Sequence, residues 1–162
     1  MISVEEYNQA AKKYTRSVFR FLHKSLKEKE AAEDIVQDCY LKLWQNRDRV
    51  NPQKAKSWLF SVAHHAMVDY RRTAARKVPL DDAGQTLAVF QKNEFDAKAI
   101  LERVLDELPP VQKSIVLLRD LEGYDYREIG EILGLNASQV RVYLFRARQQ
   151  VKNAIQELTN VL

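Results

Sequence analysis

The sequence is poor in the residues that build sheet proteins and disulfide-bonded proteins. Its 162 residues include one cysteine, four glycines and four prolines. A single cysteine, Cys39, excludes an intrachain disulfide and favours a reducing, cytoplasmic setting. So few glycines and prolines cannot supply the turns of a sheet protein, and the alternation of apolar and polar residues that marks strands is absent. These absences predict an all-α fold.

Long apolar runs and catalytic motifs are absent as well. No stretch approaches the roughly 20 apolar residues that span a bilayer, and Glu5 and Glu6 lie where a secretory signal needs basic and then apolar residues. His64 and His65 are adjacent, so they lack the four-residue spacing with which two helical histidines share a metal. No glycine-rich phosphate loop is present. We therefore expect an intracellular, cytoplasmic protein without membrane insertion, cofactor, metal site or enzymatic activity.

Apolar residues recur at helical spacing along most of the chain. Ser3 with Glu6 forms a capping-box pattern at the start of a long first helix, and a second helix is predicted from about Glu30 to Gln45. Asn51-Pro52 is typical of the cap and first-turn proline of a third helix. The N-terminal part of the chain is therefore predicted to be a helical domain.

The helical periodicity is interrupted once. It weakens between Val78 and Asn93, where Pro79 and Gly84 lie close together with two acids, and this predicts a flexible linker over residues 78–94. A further helix is predicted from Phe95 to Leu108, followed by two prolines that end it and open the next. The sequence thus predicts two small helical domains, at residues 1–77 and 95–162.

Charge is distributed unevenly between these parts. Residues 1–80 carry 16 Lys+Arg against 9 Asp+Glu, residues 81–110 carry 3 against 7, and residues 111–162 carry 7 against 6. The net charge of +4 is compatible with a nucleic-acid partner but is not diagnostic of one. A basic N-terminal block is thus separated from the C-terminal domain by an acidic stretch.

The C-terminal domain ends in the pattern of a helix-turn-helix. Gly134 lies where the first helix must stop, because glycine enters the left-handed backbone region without steric cost, and Asn136 with Gln139 forms a capping-box-like start for the second helix. No acid occurs between Ala137 and Lys152. A basic helix of this kind can lie in a major groove and contact base edges and phosphates. The candidate DNA-binding residues are Ser138, Gln139, Arg141, Val142, Phe145, Arg146 and Arg148. The alternative is a helical hairpin whose arginines are simply solvated.

Several motifs occur in an order that resembles one protein family. They are Ala32-Glu33-Asp34-Ile35-Val36-Gln37-Asp38, Trp58-Leu59 with Ala63 and Asp69-Tyr70, Leu108-Pro109-Pro110, Leu117-Leu118-Arg119, Glu122-Gly123-Tyr124, and the helix-turn-helix ending in Arg146-Ala147-Arg148. Each motif alone is weak, but their collinear order over nearly the whole chain is specific. In this order the chain resembles the extracytoplasmic-function (ECF) group of bacterial sigma factors.

The resemblance implies a promoter-recognition subunit that binds core RNA polymerase and directs promoter-specific transcription initiation. Residues 1–77 would be sigma domain 2 and residues 95–162 sigma domain 4. In the family, the second helix docks on the largest polymerase subunit through an acidic and amide face, at positions held here by Asp34, Gln37 and Asp38. Their spacing alone favours an ordinary solvated helix face, and it is the resemblance that reverses this preference.

The resemblance also gives the third helix a role at the downstream promoter element. The candidate residues are Arg71, Arg72, Arg76 and Lys77 at the end of the helix, together with His65. Trp58 and Tyr70 lie on the apolar stripe of this helix, so we expect them in the core. His65 stands where the family commonly has asparagine, so a base contact made by that asparagine does not carry over unchanged.

Two further departures lie in the helix-turn-helix. Val142 and Tyr143 replace the small and basic residues that usually follow the position of Arg141 in the recognition helix, and Phe145 lies two residues further on. This predicts an atypical upstream promoter sequence, and contact with thymine methyl groups is one use for Val142 or Phe145. Gly130 stands where alanine is usual, and we expect it to weaken its helix slightly.

The partners implied by the resemblance are core RNA polymerase, promoter DNA and, as often in the family, an anti-sigma factor. Two alternatives stay open. One is a free-standing helix-turn-helix regulator that acts without stable binding to core polymerase, although the Asp34, Gln37 and Asp38 face has no evident task in such a protein. The other is a helical adaptor, against which salt-sensitive DNA binding would argue.

Overall fold

The computed structural model describes residues 1–77 and 97–161, and within these two segments every regular element is helical. The helices of these segments are α1 (Val4–Leu26), α2 (Lys29–Gln45), α3 (Ala55–Lys77), α4 (Ala97–Glu107), α5 (Pro110–Val116), α6 (Tyr126–Leu133) and α7 (Ala137–Val161). A 3₁₀ turn at Pro52–Lys54 leads into α3, and a π-helical turn at Leu117–Leu121 follows α5. The predicted all-α fold is confirmed, and the linker predicted at 78–94 lies outside the described residues.

Polar caps fix helix ends at the positions that the sequence indicates. Ser3 and Glu6 form a reciprocal capping box at the start of α1. Asn136 and Gln139 form another at the start of α7, with N–H···O distances of 2.9 and 2.8 Å. Gly134 ends α6 with φ of +72°, a backbone conformation that residues with a Cβ atom rarely adopt. The turn between α6 and α7 is therefore defined from both sides.

The first three helices pack on one another as a bundle with an apolar centre. Its fully buried side chains include Phe21, Leu22, Cys39, Leu43, Leu59 and Met67. Burial raises the pKa of the Cys39 thiol to about 12, so the thiol stays protonated and acts as a small apolar core residue, as its position on the helix predicts. Cys39 thus contributes to the bundle by packing in its core.

The remaining helices pack around the start of α7. Val140, Leu144 and Ala147 of α7 are buried with Ile129 and Ile132 of α6, and α7 also contacts α4 and α5. These positions follow the spacing of one apolar stripe per helix. The two helices of the predicted helix-turn-helix are therefore held against each other by their inward faces, while the opposite face of α7 faces outward.

The two described segments share a buried interface. Phe60 of α3 meets Tyr124 edge to face, with 5.2 Å between ring centroids. Arg20 of α1 donates two hydrogen bonds, of 2.8 and 2.7 Å, to the carboxylate of Glu122. The Glu122 side chain is only 2% exposed. Buried apolar residues from both segments belong to one continuous cluster, so the segments pack as one body in this arrangement.

Ion pairs join α6 to the start of α3. Lys54 pairs with Glu131 at 2.7 Å, and Lys56 pairs with Glu128 while lying 4.4 Å from the centroid of the Tyr124 ring. Asp125 caps α6 by accepting the backbone N–H of Glu128. These pairs use the acids of α6 to hold the first helix of the helix-turn-helix against α3.

One expectation about the core of α3 is wrong. Tyr70 is 37% exposed, and its hydroxyl donates a hydrogen bond to Glu28, which directly precedes α2. The three-helix bundle ends at the level of Tyr70. The apolar stripe of α3 therefore continues beyond the core against which the helix packs. Trp58, by contrast, is half-buried and packs against the core as expected.

Candidate nucleic-acid interface

The outward face of α7 presents all the predicted upstream DNA-binding residues to solvent. The exposed residues are Ser138, Gln139, Arg141, Val142, Phe145, Arg146 and Arg148. They lie opposite the buried stripe because a helix places residues three and four apart on one side. Phe145 is 69% exposed and Val142 is 45% exposed, so two large apolar side chains belong to this surface. The seven residues thus share one open surface on a single rigid helix.

The arginines of this surface are positioned by neighbours that the sequence analysis did not single out. Arg148 donates a 2.6 Å hydrogen bond to Asp120 in the π-helical turn. The Arg141 guanidinium lies 5.5 Å from the centroid of the Tyr126 ring, within the range of a cation–π contact. Arg148 is therefore partly neutralised by Asp120, whereas Arg141 keeps its charge available.

Gln139 both caps the start of α7 and lies on its exposed face. Its side-chain oxygen accepts the Asn136 N–H and so belongs to the capping box of α7. Because an amide also carries two N–H donors, the capping bond leaves those donors for a base or phosphate. Gln139 thus fixes the start of the helix while remaining a candidate contact.

Gly130 permits a close approach between the turn and α6. A Cβ atom at this position would lie 2.4 Å from the carbonyl oxygen of Leu135, far inside van der Waals contact, and the Leu135 N–H donates a 2.9 Å hydrogen bond to the Gly130 carbonyl. The expectation that this glycine only weakens its helix is therefore incomplete. Its lack of a side chain lets the turn fold back on α6.

The predicted downstream residues at the end of α3 divide into two groups. Arg72, Arg76 and Lys77 are exposed, and Arg72 makes only a 3.4 Å contact with Asp69. Arg71, by contrast, is half-buried and donates a hydrogen bond to the Ser25 carbonyl at the end of α1. The structure therefore leaves three of these four basic residues open, and it engages Arg71 internally.

His65 is exposed on α3 and its ring has one nitrogen engaged. The Nδ1 atom lies 2.7 Å from the Ser61 carbonyl oxygen, which can only accept, so Nδ1 carries the proton. In the neutral ring this leaves Nε2 as an acceptor. A base contact at this position would thus use an acceptor alone, whereas the asparagine usual in the family offers a donor and an acceptor.

A buried charge cluster lies between the two segments, next to Arg71. The Lys113 side chain is 2% exposed, and its ammonium donates to the Ser25 carbonyl at 3.0 Å and to Asp106 at 2.5 Å. Asp106 also pairs with Lys27 at 2.6 Å and lies 3.9 Å from Arg71. One carboxylate from α4 therefore faces three cations.

The environment of this cluster shifts the pKa values of both partners of the central pair. Burial lowers the pKa of Lys113, and its hydrogen bond to Asp106 opposes this effect. Burial would raise the pKa of Asp106, but hydrogen bonds from Lys113 and Lys27 outweigh it and hold that pKa below its usual range. The sequence signal for this cluster is a lysine inside the apolar run 110–118, which the sequence analysis passed over.

His64 forms a second buried polar contact between the segments. It is 5% exposed, and its Nδ1 atom lies 2.7 Å from the Ser114 hydroxyl of α5. Burial, together with the adjacent His65, lowers the pKa of His64 from 6.5 to about 4. His64 is therefore neutral at physiological pH and acts as a hydrogen-bonding core residue.

The face of α2 that carries Asp34, Gln37 and Asp38 is exposed. The opposite face, with Ala32, Ile35, Val36 and Cys39, is buried in the bundle. Residues three and four apart project from one side of a helix, so the two carboxylates and the amide lie together. The interface between the two segments leaves this acidic face uncovered.

Two other kinds of site are absent from the described residues. In residues 1–77 and 97–161, no three His, Cys, Asp or Glu side chains lie close enough to hold a metal ion. Over the same residues, no helix is both long and apolar enough to cross a bilayer. The candidate interfaces are therefore the three exposed helix faces.

Comparison with known proteins adds independent information on both segments. A family model described as "Sigma-70 region 2" matches residues 10–77, and one described as "Sigma-70, region 4" matches residues 98–151. Two curated relatives from Bacillus subtilis cover most of the chain. The RNA polymerase sigma factor SigV is 31% identical over 137 residues, which is 83% of this chain and 81% of SigV, and the ECF RNA polymerase sigma factor SigM is 29% identical over 144 residues, which is 86% of this chain and 88% of SigM.

A solved structure shares the fold. It is the sigma factor RpoE of Bartonella quintana in complex with the anti-sigma factor NepR, with a TM-score of 0.68, 20% identity, and coverage of 94% of this chain and 98% of that one. The order of helices and the placement of the helix-turn-helix thus agree with the two family matches. The chain belongs to the sigma-70 family of RNA polymerase sigma factors, in its extracytoplasmic-function group.

Proposed function

We propose that this sigma factor divides promoter-directed initiation between its exposed helix faces. The α2 face of Asp34, Gln37 and Asp38 docks on bacterial core RNA polymerase. The outward face of α7 binds the upstream promoter element as duplex DNA. The end of α3, with Arg72, Arg76, Lys77 and the nearby His65, binds the downstream element, and Arg71 joins it when its internal contacts are released. Residues 1–77 act as sigma domain 2 and residues 95–162 as sigma domain 4, joined by the linker at 78–94.

The observation that carries this proposal is the charge and exposure of α7. The helix holds its apolar stripe in the core, while its outward face carries three arginines and no acid between Ala137 and Lys152. A duplex carries one phosphate charge for about every 1.7 Å of its axis, so such a face gains affinity by displacing counterions. The glycine turn and reciprocal caps present this face as a rigid unit.

The α2 face supports polymerase docking because the carboxylates of Asp34 and Asp38 are exposed to solvent. In the contacts of the described residues, they pair with none of the protein's own basic side chains. Two carboxylates and an amide on one helix side match a basic surface on a partner, through charge-assisted hydrogen bonds. Docking on a basic partner also explains why a chain with a net charge of +4 has a separate acidic face.

The chemistry of RNA synthesis stays with the polymerase in this proposal, and the chain itself is not an enzyme. Its contribution is binding energy, directed to a promoter. We place its work in the cytoplasm, where transcription takes place. An anti-sigma factor is a further partner of the same class as the one complexed with the similar Bartonella protein.

The proposal is tested by measuring the affinity of the fluorescently labelled full chain for purified bacterial core polymerase. The variant Asp34→Asn/Gln37→Ala/Asp38→Asn removes the docking groups, and we expect its affinity to fall at least about tenfold, because charge-assisted hydrogen bonds contribute about 1.5–3 kcal/mol each. The control is Glu5→Gln, which removes an exposed carboxylate from α1 and leaves the α2 face unchanged. Equal affinity of the triple variant and the control would reject the docking face. Absence of any binding by the parent chain, with DNA binding retained, would instead favour a free-standing regulator.

A further inference from the structure

The centre of the outward face of α7 is apolar. Each helical residue advances by about 100° around the axis, so Ser138, Val142, Phe145 and Gln149 form one strip along the helix, opposite the buried Val140, Leu144 and Ala147. Phe145 and Val142 are 69% and 45% exposed, and they occupy the middle of this strip. A recognition helix thus carries its largest apolar side chains at the position that would enter deepest into a groove.

The arginines lie on the flanks of this strip. By the same helical geometry, Arg141 and Arg148 fall on one side of it and Arg146 on the other. Each guanidinium contacts a neighbour: Arg148 reaches Asp120, and Arg146 lies 6.0 Å from the centroid of the Tyr143 ring. The basic groups are therefore displaced toward the two phosphate backbones that would border the helix, while the centre is left to the apolar pair.

The chemistry of the major groove identifies what such a pair can read. Base edges there expose hydrogen-bond donors and acceptors, and thymine alone adds an apolar group, its C5 methyl. A phenyl ring and an isopropyl group cannot bond to guanine or adenine edges, but they gain by removing a methyl group from water. The basic flanks make duplex DNA the occupant that complements this surface, rather than an apolar protein partner.

We propose that Val142 and Phe145 determine sequence preference by packing on thymine methyl groups in the upstream promoter element, with Arg141 and Arg146 binding the flanking phosphates. This inference rests on the proposed function and deepens it. Specificity then comes mainly from the apolar strip, and affinity comes mainly from the arginines. The two groups of residues should consequently respond differently to changes in the DNA.

The test uses the full chain assembled with bacterial core polymerase. Duplexes with a randomised upstream region are first selected for binding, and each thymine of the selected sequence is then replaced, one at a time, by deoxyuracil, which lacks only the methyl group. We expect one or two thymines at which this replacement weakens binding, by about fourfold for each buried methyl group. Phe145→Ala or Val142→Ala should weaken binding to the thymine duplex and abolish its difference from the deoxyuracil duplex. Both side chains are exposed, so circular dichroism should show an unchanged fold.

Arg146→Ala is the matched control on the same helix. It should weaken binding to every duplex alike, reduce the dependence of affinity on salt, and retain the fourfold effect of deoxyuracil. The inference is overturned if the selected sequence has no thymine, if no deoxyuracil replacement changes affinity, or if Phe145→Ala and Val142→Ala both retain the effect. Self-association in sedimentation velocity that Phe145→Ala removes would assign the strip to a second copy and also overturn it. Failure to select any sequence overturns the proposed function itself.

Discussion

The ion pair between Arg20 and Glu122 gives a quantitative test of the interface between the two segments. Arg20 is 42% exposed, but the Glu122 carboxylate is 2% exposed and accepts both hydrogen bonds from the guanidinium. Arg20→Ala would leave that carboxylate buried without its cation. Removing one partner of a fully buried pair costs about 3–5 kcal/mol, and the partial exposure of Arg20 places this case lower, at about 2–3 kcal/mol.

The assay is thermal unfolding followed by circular dichroism. For a protein of this size, about 1 kcal/mol shifts Tm by roughly 2–4 °C, so Arg20→Ala should lower Tm by about 4–12 °C. The control is Arg16→Ala, which removes an exposed arginine one turn earlier in α1 and should change Tm by less than about 2 °C. Adding Glu122→Gln to Arg20→Ala removes the buried charge, so the double variant should recover part of the loss. A Tm for Arg20→Ala equal to that of the control, or a further fall in the double variant, would refute the buried pair.

Three further predictions concern the buried His64 and the glycines at positions 130 and 134. The pKa of His64 is lowered from 6.5 to about 4 in the folded protein, so the unfolded chain takes up the proton first, and stability should be full above pH 6.5 and fall as the pH drops toward 4. Urea unfolding should show a loss of about 2 kcal/mol between pH 7.5 and 5 from this group, and an equal loss in His64→Asn would contradict it. Gly130→Val should lower the free energy of unfolding by about 2 kcal/mol, because its side chain would meet the Leu135 carbonyl. The control is Arg127→Val, at an exposed position of the same helix. Equal urea midpoints for the two variants would exclude the steric explanation. Gly134→Ala should cost about 1 kcal/mol through strain at positive φ, and Gly134→Asn should cost less; the reverse order of unfolding midpoints would argue against the left-handed turn.

The local features of the fold could be predicted because their causes are local. The caps formed by Ser3, Asn136 and Gln139, and the left-handed turn at Gly134, depend on residues within one helical turn of each other. The outward position of Arg141 and Phe145 follows equally from the apolar stripe of the same helix. A pattern of period 3.6 thus specifies both the buried face of α7 and the candidate site on its other side.

The contacts between the segments could not be predicted in this way. Arg20 and Glu122 are 102 residues apart, and Lys113 bonds to a carbonyl 88 residues away, so no periodicity in the sequence relates them. The exposure of Tyr70 could not be predicted for a related reason. The apolar stripe of one helix gives no information on where the neighbouring helices end. The role of Gly130 depends on the approach of the following turn, and the helical pattern around this glycine does not reveal that approach.

The most direct test of the central claim is transcription in vitro by purified bacterial core polymerase on fragmented genomic DNA of the source bacterium, with and without this protein. We expect new RNA 5′ ends that appear only with the protein and share a common upstream sequence, and that are lost with Arg141→Ala/Arg146→Ala. The same 5′ ends in both reactions, from a protein that binds duplex DNA by itself, would show that the protein does not direct initiation by the polymerase.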